Sequence, residues 1–216
     1  MWWLPGNQRR VSLWVAALGG LAVAATAQPE APVVTPGIDV LIEKPMTTTI
    51  EEADALLELA DAKGRIVQVG HLERFNPAVL ALKDIIANPM FIEAHRLSIY
   101  KDRSTDVSVV LDLMIHDIDI IMNVVKSEIK SIHAAGVPVI CEHADIANVR
   151  LEFESGCVAN VTASRISHDP IRKIRLFQGN TYLSLDYMAQ AGQLCTKTNK
   201  GIEVCELLPL HAKIAD

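Results

Sequence analysis

Two hydrophobic periods run through the chain. Residues 38–42 form a short apolar run that ends at Glu43-Lys44-Pro45, the pattern of a buried parallel strand. Thr49 then opens a helix, and Glu52 three residues later completes a capping box. Ala53, Leu56, Leu57 and Ala60 recur at helical spacing, and Gly64 sits where a helix C-terminus is expected. Residues 65–69 read as a second strand closed by Gly70. Strand, helix, strand in this order predicts a βαβ unit with a parallel sheet.

Beyond His71 the pattern changes. Asn76-Pro77 starts a helix predicted to run to about Ala87, with proline at the favoured first position. Residues 91–100 are strand-like, and residues 108–125 predict one long helix. From Ile129 onward the chain reads as successive β segments, predicting strands at 129–137, 147–153, 158–166, 171–177 and 181–185. Turn residues such as Glu154-Ser155-Gly156 and Gly179-Asn180 separate them. The expectation is a largely antiparallel open sheet with helices on one face, followed after about Gln190 by weaker strands.

The first residues follow neither period. Arg9 and Arg10 precede an apolar run over residues 11–24, and Ala25-Thr26-Ala27 offers a small-residue cleavage site, so this stretch resembles an export signal. Residues 28–36 hold three prolines and read as a linker. A boundary is expected at Gly37. The apolar run is shorter than the roughly 20 residues a bilayer crossing needs.

Composition narrows the partners. The 216 residues carry 20 Lys and Arg against 26 Asp and Glu, a net charge of -6, without a dense basic stretch. Phosphate backbones need clustered cations, so nucleic acid is not an expected partner. Cys141, Cys157, Cys195 and Cys205 form no CxxC pair and show no zinc spacing, which makes them plain thiols.

Three places hold candidate chemistry. Asp112, His116 and Asp119 recur one helical turn apart on the helix predicted at 108–125. An imidazole beside a carboxylate is a proton carrier whose orientation and charged form the carboxylate supports. A His–Asp pair kept for stability and a metal site are the alternatives at this point. Lys44 stands at the carboxyl end of a parallel strand, where ligands of open α/β sheets gather, although a lysine there is also simply a solvated cation. The run from Gly70 to Pro77 also follows a strand directly, and its plainer reading is a loop with Asn76 as N-cap.

In this order, GIDVLIEKPM (37–46), VGHLERFNP (69–77) and DLMIHDID (112–119) resemble the motifs of the Gfo/Idh/MocA oxidoreductases over residues 37–190. The resemblance implies the remnant of a parallel Rossmann sheet at 37–75, followed at 76–216 by an α+β substrate and oligomerisation domain. It implies NAD or NADP as cofactor, a nucleotide-sugar substrate, no resident metal and a homo-oligomer built through the antiparallel sheet. The wording of the motifs is most similar to members that oxidise C3 of a UDP-N-acetylhexosamine for lipid A precursors. Carried onto this chain, His116 is the base, Asp112 orients it, and Lys44 hydrogen-bonds the reacting hydroxyl, with His116 and Lys44 exchangeable in role. Glu43, Lys44, Pro45, Gly70, Arg74 and Asn76 are implied cofactor contacts. Arg74, Arg96, Arg103 and Asp119 are implied on the substrate side, with surface charge as the alternative for Arg96 and Arg103.

The chain departs from that pattern in lacking a GxGxxG sequence. The expectation is that residues 1–36 are foreign to the fold, with a genuine exported variant as the alternative, and that the chain as written neither binds the dinucleotide tightly nor turns over. A non-catalytic binding or dimerisation module is the competing reading. A nucleotide-sugar substrate implies the cytoplasm.

Overall fold

The computed structural model describes residues 39–80, 85–102 and 105–207. The signal-like segment, the linker and Arg103 lie outside the described residues.

The βαβ unit forms as its pattern predicts. Strand β1 (Val40–Ile42) pairs in parallel with β2 (Val67–Val69), and helix α1 (Ile50–Ala62) connects them. At the start of α1 the Thr49 hydroxyl accepts from the Glu52 N–H, while the Glu52 carboxylate accepts from the Thr49 N–H, both at 3.2 Å. At its end Gly64 takes φ +60, and the bonds Gly64 N–H to Asp61 and Arg65 N–H to Ala60 close a Schellman motif. Only Gly adopts that φ without a Cβ penalty, which is why the chain turns there. Ala53, Leu56 and Ala60 form the buried stripe of the helix.

A 3-10 turn (Leu72–Phe75) and the short helix α2 (Pro77–Leu80) lead to β3 (Phe91–Leu97). Helix α3 (Ile115–Val125) follows, and then β4 (Ile129–Val137), β5 (Ile146–Phe153), β6 (Val158–Ser164), β7 (Ile171–Gln178), β8 (Thr181–Asp186), β9 (Ala191–Thr198) and β10 (Gly201–Leu207). These eight strands make one sheet in the order β10-β9-β8-β7-β3-β6-β5-β4. Its neighbours are antiparallel except β3 and β6, which run parallel with Phe91 opposite Val158. The fold class is therefore mixed α/β, with a small parallel pair and a large, mostly antiparallel sheet.

One face of this sheet is the core. Ile92 and Ala94 of β3, Val149 and Leu151 of β5, Val161 of β6 and Ile174 and Leu176 of β7 are all buried against Met114, Ile118 and Ile121. The alternation in β3 puts Arg96 on that same buried face. Among the described residues, no helix is long and apolar enough to cross a membrane.

One expected element differs. The helix predicted at 108–125 begins with a π-helical turn over Val110–Met114 before the α-helical stretch. A π turn holds an extra residue, so Asp112 leaves the register that would stack it under His116. Such turns recur at functional sites because they displace side chains and backbone carbonyls from the regular ladder.

Candidate active site

The carboxyl ends of β1 and β2 are held together by the Gly70 N–H donating to the Ile42 carbonyl at 2.7 Å. Gly70 packs closely here: a Cβ there would meet the Glu43 carboxylate at 3.2 Å, so the Glu43 side chain would have to shift. Glu43 and Gly70, both implied as cofactor contacts, therefore adjoin. The Lys44–Pro45 peptide that follows is cis.

Lys44 leaves this edge and reaches the π turn. Its ammonium donates to the Asp112 backbone carbonyl at 2.6 Å and lies 3.5 Å from Asp112 Oδ1. The structure thus joins Asp112 to Lys44, whereas the sequence assigned it to orienting His116. His116 Nδ1 is buried and has no hydrogen-bond partner. Burial, reinforced by the positive charges of Arg96 and Lys44, pushes the His116 pKa down to about 3. The imidazole is neutral at physiological pH, with Nδ1 unbonded, and its resting surroundings oppose protonation.

His71 was not singled out as a site residue from sequence, yet it belongs to the cluster. It is buried at the start of the 3-10 turn, and its Nδ1 also lacks a partner, 3.9 Å from Asp119 Oδ1. Burial lowers its pKa; Asp119 opposes this, and Arg74 and Lys44 add to it. Its sequence signal was position, directly after a parallel strand end.

Arg74 and Asp119 pair with each other. The Arg74 Nε donates to Asp119 Oδ2 at 2.6 Å and Nη2 to Oδ1. Asp119 is almost wholly buried while Arg74 keeps 22% of its side chain exposed, so Arg74 is the member with surface left for a ligand. Asn76 serves as the N-cap that its plainer reading supposed: its Oδ1 accepts from the Ala78 N–H at 3.0 Å, and its amide donates to Glu73 at 2.9 Å.

Arg96 corrects the sequence reading. Expected as a diphosphate contact or a surface charge, it is 2% exposed and sits in the core. Its Nε and Nη2 donate to the two oxygens of Asp117 at 2.7 and 3.0 Å, and Nη1 donates to Glu73 at 3.2 Å. The guanidinium also lies 5.6 Å from the ring centroid of buried Tyr187. A buried guanidinium survives only where carboxylates satisfy it, and Asp117 and Glu73 do so here. The clue was period two: Ile92, Ala94 and Arg96 share one strand face.

Comparison with known proteins matches this architecture. Residues 26–71 match the model described as an oxidoreductase family with an NAD-binding Rossmann fold, and residues 86–178 match the GFO/IDH/MocA C-terminal domain. The first match begins at residue 26, ahead of the boundary expected at Gly37. The chain belongs to the Gfo/Idh/MocA family of oxidoreductases.

Among curated relatives, the UDP-N-acetylglucosamine 3-dehydrogenase of Acidithiobacillus ferrooxidans is 38% identical over 153 residues, 70% of this chain and 49% of that protein. The scyllo-inositol 2-dehydrogenase (NAD(+)) of Bacillus subtilis is 28% identical over 165 residues, 68% of this chain and 48% of that protein. The chain spans about half the length of these curated relatives. A solved structure of the Acidithiobacillus enzyme superposes with a TM-score of 0.74 at 34% identity, covering 79% of this chain and 56% of that one. Levoglucosan dehydrogenase, solved with NADH and L-sorbose, reaches a TM-score of 0.71 at 18% identity over 79% of this chain and 54% of its own, and shares the fold.

Proposed function

We propose that this chain carries the proton-handling half of a nicotinamide-dependent dehydrogenase acting on a sugar hydroxyl, with UDP-N-acetylglucosamine oxidised at C3 as the substrate. The observation that carries this reading is Lys44: it starts at a parallel strand end and meets the turn that presents His116. Two buried imidazole nitrogens without partners flank the lysine's surroundings. That donor and acceptor set fits a sugar hydroxyl beside a nicotinamide.

When bound, the nicotinamide supplies the hydride acceptor. Glu43, Pro45 and Gly70 line the strand ends that would hold it. Lys44 donates a hydrogen bond to the hydroxyl oxygen, which favours loss of the hydroxyl proton as negative charge develops there. His116 takes that proton, and the negative charge developing on the neighbouring hydroxyl oxygen offsets the burial that otherwise lowers its pKa. Asp112 holds Lys44 in place through its backbone carbonyl. Arg74 presents its exposed edge to the substrate while Asp119 anchors it. NAD is the cofactor proposed, and NADP is the alternative.

A 3-oxo sugar is the reactant that an amination step needs, consistent with a place in lipid A precursor synthesis, and a nucleotide-sugar substrate places the protein in the cytoplasm. The 216 residues hold no GxGxxG sequence, so weak dinucleotide binding is expected and NAD is supplied in excess. The open face of the large sheet carries aromatics in tilted contact, Phe91 with Phe177 and Phe177 with Tyr182, at centroid distances of 5.9 and 4.9 Å. That face is proposed to pair with a second copy, which light scattering across a concentration series would reveal as a dimer.

The experiment is a single-turnover incubation of the chain with excess NAD and UDP-N-acetylglucosamine, followed by mass spectrometry of the sugar. Loss of two hydrogens from the sugar in step with reduced nicotinamide is expected, and it is expected to vanish in Lys44→Met. Oxidation of an unsubstituted inositol with UDP-N-acetylglucosamine untouched would overturn the substrate.

A further inference from the structure

Two ion-pair clamps tie the 3-10 turn (Leu72–Phe75) to helix α3. The first is Arg74 with Asp119. The second runs through a third element: Glu73 on the turn and Asp117 on the helix are both held by Arg96 of β3. His71 precedes the turn and His116 precedes Asp117 directly, so the two imidazoles sit on the pieces that the clamps join. The first clamp keeps some exposure, whereas Arg96 and Asp117 are both buried.

We propose that Arg96 is a positioning residue of the active site, one that touches no reacting group but locks the turn bearing His71 against the helix bearing His116 through Glu73 and Asp117. The inference rests on the dehydrogenase reading only for its functional meaning; the lock itself is a property of the chain. Its geometry is specific to arginine. The bidentate fork occupies both oxygens of Asp117 and leaves Nη1 directed at Glu73, an arrangement a single ammonium cannot reproduce. Buried Tyr187 packs its ring beneath the guanidinium.

Arg96 has a second consequence, through charge. His116 faces Arg96 from β3, Lys44 from beyond β1, His71 from ahead of the turn and Arg172 from β7, all acting in the same direction. After burial, Arg96 contributes the largest share. A fixed buried cation thus keeps the proposed base unprotonated while leaving its ring unbonded.

The test is made on the full chain by NMR, reading amide exchange in residues 71–76 and the titration of His116. Arg96→Met alone strands Asp117 and can fail to fold, so the informative variants are Arg96→Lys and the double variant R96M/D117N. Arg96→Lys keeps the charge and loses the fork: exchange in the turn is expected to quicken about tenfold relative to β5 and β6, the response expected of local opening. His116 is expected to stay neutral into acid in this variant. R96M/D117N removes the fork and both charges of the ion pair, so the turn is expected to open at least as far while the net charge beside His116 is unchanged. A folded double variant with unchanged turn exchange would overturn the proposal. These readouts need no turnover, so they stand or fall separately from the substrate reading.

Discussion

The two sheets of this protein are built on opposite terms. The parallel pair β1–β2 has three residues in each strand, and Leu41 is 66% exposed while nearby Ile66 is 50% exposed. The eight-stranded sheet buries one face of its strands β3 and β5–β8, rich in Leu, Ile, Val and Ala, against α3 and the π turn. Yet the small pair supplies Lys44, Gly70 and His71 to the site, and the large one supplies the platform beneath His116. Stability is concentrated in one region, and the site needs residues delivered from both.

That contrast can be broken most strongly in the large sheet. Leu151 is fully buried, and Leu151→Ala is expected to cost about 2–5 kcal/mol in urea unfolding, because it removes contacts and leaves a cavity. The next effect is pH. His116 is held neutral when folded, at a pKa of about 3 against 6.5, so its contribution to stability is complete above 6.5 and is lost as pH falls towards 3. Stability should then decline by about 1.4 kcal/mol per pH unit from this group, with His71 acting in the same direction, and His116→Gln should flatten the slope. Removing the α1 cap by Thr49→Ala should cost about 1 kcal/mol, measured the same way. The smallest effect belongs to the parallel pair: Leu41→Ser should change stability by less than about 0.5 kcal/mol. A loss there as large as that at Leu151 would show that Leu41 is covered in solution.

Most of the fold was legible because period two is a strong signal wherever one face is buried. β5 spans Ile146–Phe153 with Ala147, Val149, Leu151 and Phe153 buried in alternation, and the capping box and Gly64 bounded α1. The π turn was not legible, since the apolar stripe through Leu111, Ile115 and Ile118 looks the same whether or not one turn is widened. Its effect was to give Asp112 to Lys44 instead of His116. Arg96 was misjudged because a long cation was read by type rather than by its place among Ile92 and Ala94. Lys44 and His116 were found from sequence because strand ends and helical spacing locate residues without knowledge of packing. His71 also follows a strand end, but only the fold brings it beside Asp119.

The central claim is that Lys44 of the small unit and His116 of the large one act on a single sugar hydroxyl. It is tested most directly by single-turnover oxidation of UDP-N-acetylglucosamine in excess NAD, comparing the chain with Lys44→Met and His116→Gln. Product from the unaltered chain, with each substitution slowing its formation by about a hundredfold or more, is the predicted result. Equal product from all three proteins, or none from the unaltered chain with nucleotide and sugar both shown to be bound, would contradict it.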